Sequence, residues 1–387
     1  MPESSNRFNQ AAHDYLLWMV EHDYSRSTLN FYERLLLRFG DYVTNRDLPW
    51  SSVFTKATLH DFGRECKLVQ FEPPIRGLAR YLYKEKKISS SLDTKEVLLP
   101  EIYKTYLRYY KNIRQVCERR VLNTRRVLVL FAEWLTKEDI QTANLRIEQL
   151  DRFQAEVSKR YVKETRQHHR SVLRGLLSWL YQQKIIRRDL APLLIGAPQY
   201  ALAKPPRFLR AEELRKLFLI CPETPYEKRA WAMLHLACFT GMRPGEISLI
   251  RLDDIYFSRQ QIILPKRKSA NPICIPLPDT AIKAIGDYIM ETRPETDQRK
   301  LFLKLHAPYD PVNALSVGQS ITAWMRKAGV SGSTYWLRHT YAQNLLEADV
   351  SIFKIKEMMG HDKIQTTNRY LRIHIKMMRQ VLFDETI

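Results

Sequence analysis

Large apolar side chains recur three and four positions apart through most of the chain. The stretches YLLWMV (15–20), FYERLLLRFGDYV (31–43), VLVLFAEWL (127–135) and VLRGLLSWLYQQK (172–184) each set an apolar stripe against a polar face, which predicts amphipathic helices. Clear strand signal is confined to QQIILP (260–265) and PICIPL (272–277), short β-branched runs on either side of a basic loop bounded by prolines. They predict a β-hairpin. The expected fold class is therefore mainly α, with a small β-sheet or hairpin in the C-terminal part.

The periodic pattern breaks twice. Residues 86–101, KKISSSLDTKEVLLPE, contain three consecutive serines, and residues 191–208, APLLIGAPQYALAKPPRF, contain four prolines and no helical period. The breaks suggest blocks at 1–90, 96–195 and 205–387. The first two blocks share segments in the same order. RGLARYLYKEKKI (76–88) matches RGLLSWLYQQKII (174–186), LLLRFGDYV (35–43) matches VLVLFAEWL (127–135), and YLLW (15–18) matches YLRY (106–109). Three matches in order predict a duplicated helical module.

Composition narrows the class. A chain of 387 residues, 45% hydrophobic and 27% charged, is long enough for two or three cores and reads as globular. No apolar run approaches the ~20 residues that span a bilayer, and the opening MPESSNRFNQ lacks the apolar centre of a signal peptide. A cytoplasmic, nucleoid-associated protein without membrane contact is expected. The five cysteines, Cys66, Cys117, Cys221, Cys238 and Cys274, form no C-x-x-C, so buried thiols are expected instead of a zinc site or disulfide framework. The 62 Lys plus Arg against 42 Asp plus Glu, a formal charge of +20, point to a polyanionic partner, nucleic acid above all.

The third block holds the candidate chemistry. In TGMRPGEISLIRLDDI (240–255), Arg243 stands at a Gly/Pro-rich turn before a helix starting near Pro244, and Glu246 lies one turn in, placed to orient it. A guanidinium at such a turn can fork onto two phosphate oxygens. The loop of IILPKRKSANPICIPLP (262–278) offers Lys266, Arg267 and Lys268. TYWLRHTYA (334–342) carries Arg338 near a helix start, and MMGHDKIQTTNRYLRIH (358–374) carries His361 and Tyr370 nine residues apart. Each feature alone has a plain structural reading: a helix cap, a solvated loop, a core tyrosine.

Their order, Arg, Lys, Arg, His, Tyr, resembles the tyrosine recombinase family of phage integrases and Xer- and Cre-like enzymes. The resemblance runs from about residue 207 to the end. It implies that Arg243 and Arg338 are the catalytic arginines, His361 the histidine of the L-G-H motif and Tyr370 the nucleophile. Of the three hairpin cations, Lys268 lies eight residues before Pro276, the spacing common in the family, and is taken as the catalytic lysine, with Lys266 and Arg267 as DNA contacts. The departure is Tyr335, where the family usually has histidine three residues before the second arginine. The preceding segment, YVKETRQHHRSVLRGLLSWLYQQKII (161–186), resembles the last helices of the family's core-binding domain, with Arg170 and Arg174 as expected DNA contacts. A second such module at 1–90 is unusual for the family.

The resemblance implies a site-specific recombinase that needs no cofactor or metal. Its expected partners are duplex DNA with an inverted-repeat site, three further copies of itself in a tetramer, and an accessory recombinase or directionality factor. Two other readings stand beside it. One is a catalytically impaired DNA-binding relative, supported by Tyr335 alone. The other is a telomere-resolvase-like or type IB topoisomerase-like rejoining enzyme.

Overall fold

The computed structural model describes residues 3–66, 70–89, 92, 99–196, 207–264, 273–360, 364 and 367. The chain forms two compact units, one of Leu92–Ala201 and one of Met1–Ser91 with Leu202–Ile387. None of its described helices is long and apolar enough to cross a membrane.

The first segment holds α1 (Glu3–Glu21), α2 (Arg26–Asn45), α3 (Trp50–Val53), α4 (Lys56–Cys66) and α5 (Glu72–Lys84). Helix α1 packs on α2 and α5. The unit Leu92–Ala201 holds α6 (Glu101–Asn112), α7 (Glu118–Lys137), α8 (Ile147–Arg160) and α9 (Lys163–Gln182). In α7, Leu128, Phe131 and Leu135 fall three and four apart and are buried against Leu150 and Phe153 of α8 and Leu173, Leu176, Leu177 and Leu180 of α9. Full burial of each such side chain contributes about 1.5–3 kcal/mol. Ala191 and Leu194, in the Pro-containing stretch read from sequence as linker, are also buried in this core.

The segment from residue 207 onward is built around α11 (Pro225–Thr240), which packs against α13 (Asp279–Glu291), α14 (Ala314–Lys327) and α15 (Thr334–Glu347). Around it lie α10 (Ala211–Phe218), α12 (Pro244–Ile247) and α16 (Ile352–Met359). Beyond its exposed first turn, helix α11 is enclosed on nearly every side, with Met233, Leu234, Leu236 and Ala237 fully buried. Its N-terminus is closed by a capping box: the Thr224 hydroxyl accepts from the Glu227 amide and the Glu227 carboxylate accepts from the Thr224 amide, both at 3.3 Å. Three antiparallel strands, β1 (Ile255–Tyr256), β2 (Gln261–Leu264) and β3 (Ile273–Pro276), lie in that order. The register pairs Gln261 with Pro276 and Leu264 with Ile273, so the predicted hairpin is present and residues 265–272 connect its paired ends.

The cysteines depart from expectation. Cys66 is buried, but Cys117, Cys221 and Cys274 are exposed. Cys117 sits at the N-cap of α7, Cys221 in the loop after α10, and Cys274 on the edge strand β3, places where a side chain meets solvent whatever its polarity.

Candidate active site

Helix α11 ends at Gly241, which takes the left-handed conformation with φ of 60°. A β carbon there would also come within 2.4 Å of the Tyr341 ring, so both backbone angle and space call for glycine. The turn leads into α12, with Arg243 at its N-cap and Pro244 at its first position. The Arg243 amide donates to Oε2 of Glu246 at 2.7 Å and its Nη1 donates to Oε1 at 2.9 Å. One carboxylate thus caps the helix and fixes the guanidinium, as sequence reasoning expected of Glu246.

Arg338 projects from the second turn of α15 and is only 3% exposed. Its Nη1 donates to the Gly241 carbonyl at 2.5 Å and its Nη2 to the Met359 carbonyl. Nη1 also lies 3.7 Å from Oε2 of Glu246. Arg243 completes the cluster by donating from Nη2 to the Gly360 carbonyl at 3.4 Å. Helix α16 starts at the Ser351 cap and stops at Gly360, whose φ is 59°. The Gly360 amide closes the helix onto the carbonyls of Lys356 and Glu357, and this end carries the negative pole of the helix dipole. Two guanidinium groups meet the Met359 and Gly360 carbonyls there, one residue before His361.

Three elements therefore converge on the two arginines: the α11–α12 turn, the second turn of α15 and the C-terminus of α16. The two arginines and one glutamate carry a net charge of +1, held in place before any ligand arrives. Helix α15 is itself fixed from behind, since the Thr340 hydroxyl accepts from the Leu209 amide at 2.8 Å and donates to the Trp336 carbonyl at 2.8 Å.

Tyr335 lies one turn before Arg338 and is 55% exposed, so it does not pack beneath the arginine. Lys266, Arg267, Lys268, His361 and Tyr370 fall outside the described residues. Arg170 and Arg174 lie four apart on α9, in the unit Leu92–Ala201, and have no carboxylate partner among the described residues. Arg170 borders a cleft of about 290 Å³ that Lys163, Arg166, Gln154 and Gly196 also line. The Arg166 Nε is buried without a hydrogen-bond partner. Sequence reasoning passed over Lys163 and Arg166, although positions 163, 166, 170 and 174 share one helix face by spacing alone. It also missed the carbonyls of Gly241, Met359 and Gly360, for which only the two glycines gave a signal.

The chain resembles known proteins in sequence and in fold. The sequence pattern described as the phage integrase family matches residues 207–376. The putative integrase/recombinase y4gC of Sinorhizobium fredii is 32% identical over 166 residues, which take in 42% of this chain and 85% of that protein. A second protein of that bacterium, putative integrase/recombinase y4rA, is 25% identical over 314 residues, 79% of this chain and 76% of the relative. Tyrosine recombinase XerA of Thermococcus onnurineus is 27% identical over 175 residues, 45% of this chain and 61% of that protein, so about three fifths of its length is matched. Among solved structures, XerH recombinase bound to a palindromic difH substrate superimposes with a TM-score of 0.58 at 18% identity, over 79% of this chain and 95% of that one. The Tn1549 transposon integrase in complex with a circular intermediate DNA gives a TM-score of 0.55 at 17% identity, over 72% and 98%. These likenesses give the fold, and the sequence matches over the segment that builds the arginine cluster give the lineage: the chain belongs to the phage integrase family of tyrosine recombinases.

Proposed function

We propose that the chain is a site-specific recombinase that cuts and rejoins duplex DNA through a 3′-phosphotyrosine intermediate, integrating, excising or resolving a mobile element. The observation that carries this reading is the Arg243–Glu246–Arg338 cluster built on the end of α16, directly before His361. In the reaction the Tyr370 oxygen forms a bond to the scissile phosphorus as the bond to the 5′ oxygen breaks. Tyr370 gives its proton to solvent water, and Lys268 supplies one to the departing 5′ oxygen. The phosphodiester energy is kept in the new ester, so rejoining needs no ATP. Arg243 and Arg338 stabilise charge on the non-bridging oxygens, and His361 donates a hydrogen bond to the same phosphate.

Arg243 is part-exposed and meets the phosphate first, while Arg338 is occupied by carbonyls beneath it. A phosphate oxygen is a stronger acceptor for a guanidinium than a neutral carbonyl. DNA binding therefore exchanges the Met359 and Gly360 carbonyls for phosphate oxygens, which couples substrate arrival to the segment carrying His361 and Tyr370.

Residues 96–195 act as the DNA clamp. The face of α9 with Lys163, Arg166, Arg170 and Arg174 meets the phosphate backbone, and the buried Arg166 Nε offers a donor without a protein acceptor. Residues 205–387 form the catalytic domain, which works as a tetramer on an inverted-repeat site with an accessory recombinase or directionality factor.

A nicked duplex built from the DNA flanking the gene tests this directly. The expected product is a denaturation-resistant, protease-sensitive protein–DNA adduct whose peptide maps to Tyr370. No adduct on any such duplex, or an adduct through another residue type, would discard the mechanism. Tyr335 is proposed as a hydrogen-bonding group at the scissile phosphate, since a phenol can donate and accept. In single-turnover cleavage, Tyr335→Phe is expected to lose at least ~10-fold in rate, and Tyr335→His to stay active. An unchanged rate in the Phe variant leaves Tyr335 as a surface side chain.

A further inference from the structure

The helices before residue 90 and those of the unit Leu92–Ala201 repeat the same contacts at matching positions. Gly77 of α5 lies against the hydroxyl of Tyr15 in α1, where an added β carbon would come to 2.3 Å. Gly175 of α9 lies against the hydroxyl of Tyr106 in α6, where it would come to 2.8 Å. Phe39 meets Phe62 edge-on with centroids 4.9 Å apart, and Phe131 meets Phe153 edge-on at 5.0 Å. Tyr42 adds a second edge to Phe62 at 5.2 Å, and Trp134 does so to Phe153 at 5.5 Å. Tyr15 lies 5.4 Å from Tyr81, and Tyr106 lies 5.5 Å from Trp179. The exits agree as well: Asp47 and Asp139 follow α2 and α7 with φ of 46° and 52°, and Lys86 and Lys184 follow α5 and α9 with φ of 57° and 58°. Amphipathic helices resemble each other by chance, but contacts linking four helices at matching positions require one shared architecture.

Charge separates the two. Residues 1–90 and 96–195 each hold 11 Asp plus Glu, but the first has 13 Lys plus Arg and the second 20. Helix α5 begins at Glu72, the position of Arg170, and the positions of Lys163 and Arg166 hold Glu65 and Leu68 in the sequence. Where the second copy has Arg170 and Arg174, the first has Glu72 and Arg76, paired with each other at 2.7 Å. Leu17 and Val20 stand exposed on α1 at the positions of Arg108 and Lys111.

We infer that the first module is a copy of the DNA clamp whose phosphate-gripping face has been dismantled, so that the chain draws its electrostatic hold on DNA from residues 99–387. This rests on the clamp reading of residues 96–195. A nearly neutral helical body with its arginine tied to its own glutamate releases few counterions from DNA.

Two positions hold arginine in both copies, Arg34 and Arg76 in the first and Arg126 and Arg174 in the second, which permits a matched test in the full-length chain. Binding to a core-site duplex is measured from 50 to 200 mM salt. Each lost phosphate contact flattens the log K against log salt slope by about 0.9. The pair Arg126→Gln and Arg174→Gln is expected to flatten it by about 0.9–1.8. The pair Arg34→Gln and Arg76→Gln is expected to change it by less than ~0.3. Arg34, Arg126 and Arg174 are exposed and Arg76 is part-exposed, and circular dichroism melts check that each protein is folded. Equal flattening by both pairs, or flattening by the first pair alone, would overturn the inference while leaving a DNA clamp in place. No flattening by either pair would overturn the clamp reading and this inference with it.

Discussion

Replacing Arg338 with alanine is expected to remove cleavage activity and a large share of the stability of the segment around α11. The guanidinium is almost wholly enclosed and serves the Gly241 carbonyl, the Met359 carbonyl and, at longer range, Glu246. Truncation leaves two backbone acceptors without their donor and takes from the part-buried Glu246 the second of its two cations, Arg243 remaining. Removing one partner from a buried charged cluster typically costs ~3–5 kcal/mol, most of it the desolvation of the groups left behind. A fall in melting temperature on the order of 10 °C should follow. Catalysis suffers separately, because a preorganised donor at a developing oxyanion is worth about 10²–10³ in rate. Arg338→Lys separates the two effects. An ammonium keeps the charge and can reach one acceptor, but it cannot fork to two. It should recover part of the melting temperature while cleavage stays down by about 10²-fold or more. An alanine variant that melts with the wild type would show that the buried cluster does not hold α15 to α16.

The same cluster shows where sequence reading succeeds and where it stops. Helices α1, α2, α7 and α9 were legible because each buries one stripe, and apolar spacing of three and four records that directly. The hairpin was legible because β-branched runs flank a Pro-bounded loop. Helix α11 was not, since AWAMLHLACFT (230–240) is enclosed on nearly every side and a helix without a polar face leaves no period. Arg243, Glu246 and Arg338 could be singled out because side chains of fixed chemistry at fixed spacing survive in the letters. Their acceptors were not, because Gly241, Met359 and Gly360 contribute backbone carbonyls, which every residue has. The exposed cysteines are the converse error: composition says how often thiols are buried, while the cap of α7 and the edge strand β3 decide it for Cys117 and Cys274. The Tyr–Gly contacts of the two modules were visible as matched letters, but only geometry shows that each glycine lets a tyrosine hydroxyl approach its helix.

Tyr370→Phe is expected to bind duplex DNA within about twofold of the wild-type affinity and to form no covalent adduct. Binding strength comes from Lys and Arg on phosphates, none of which this change removes, whereas the oxygen proposed as nucleophile is deleted outright. Loss should exceed ~10⁴-fold, because no water or neighbouring hydroxyl in the family's chemistry conserves the phosphodiester energy as the tyrosyl ester does. The contrast with Tyr335 makes the result decisive. Tyr335 is a second phenol, exposed and one turn from Arg338, so a nucleophile assigned from motif order alone has a rival. A positioning phenol lost at 335 slows formation of the adduct but leaves its mapped site unchanged. A nucleophilic phenol lost at 370 removes the adduct at every enzyme concentration and time. If the adduct persisted in Tyr370→Phe and vanished in Tyr335→Phe, the nucleophile would be Tyr335, and the segment after His361 would lose its catalytic role.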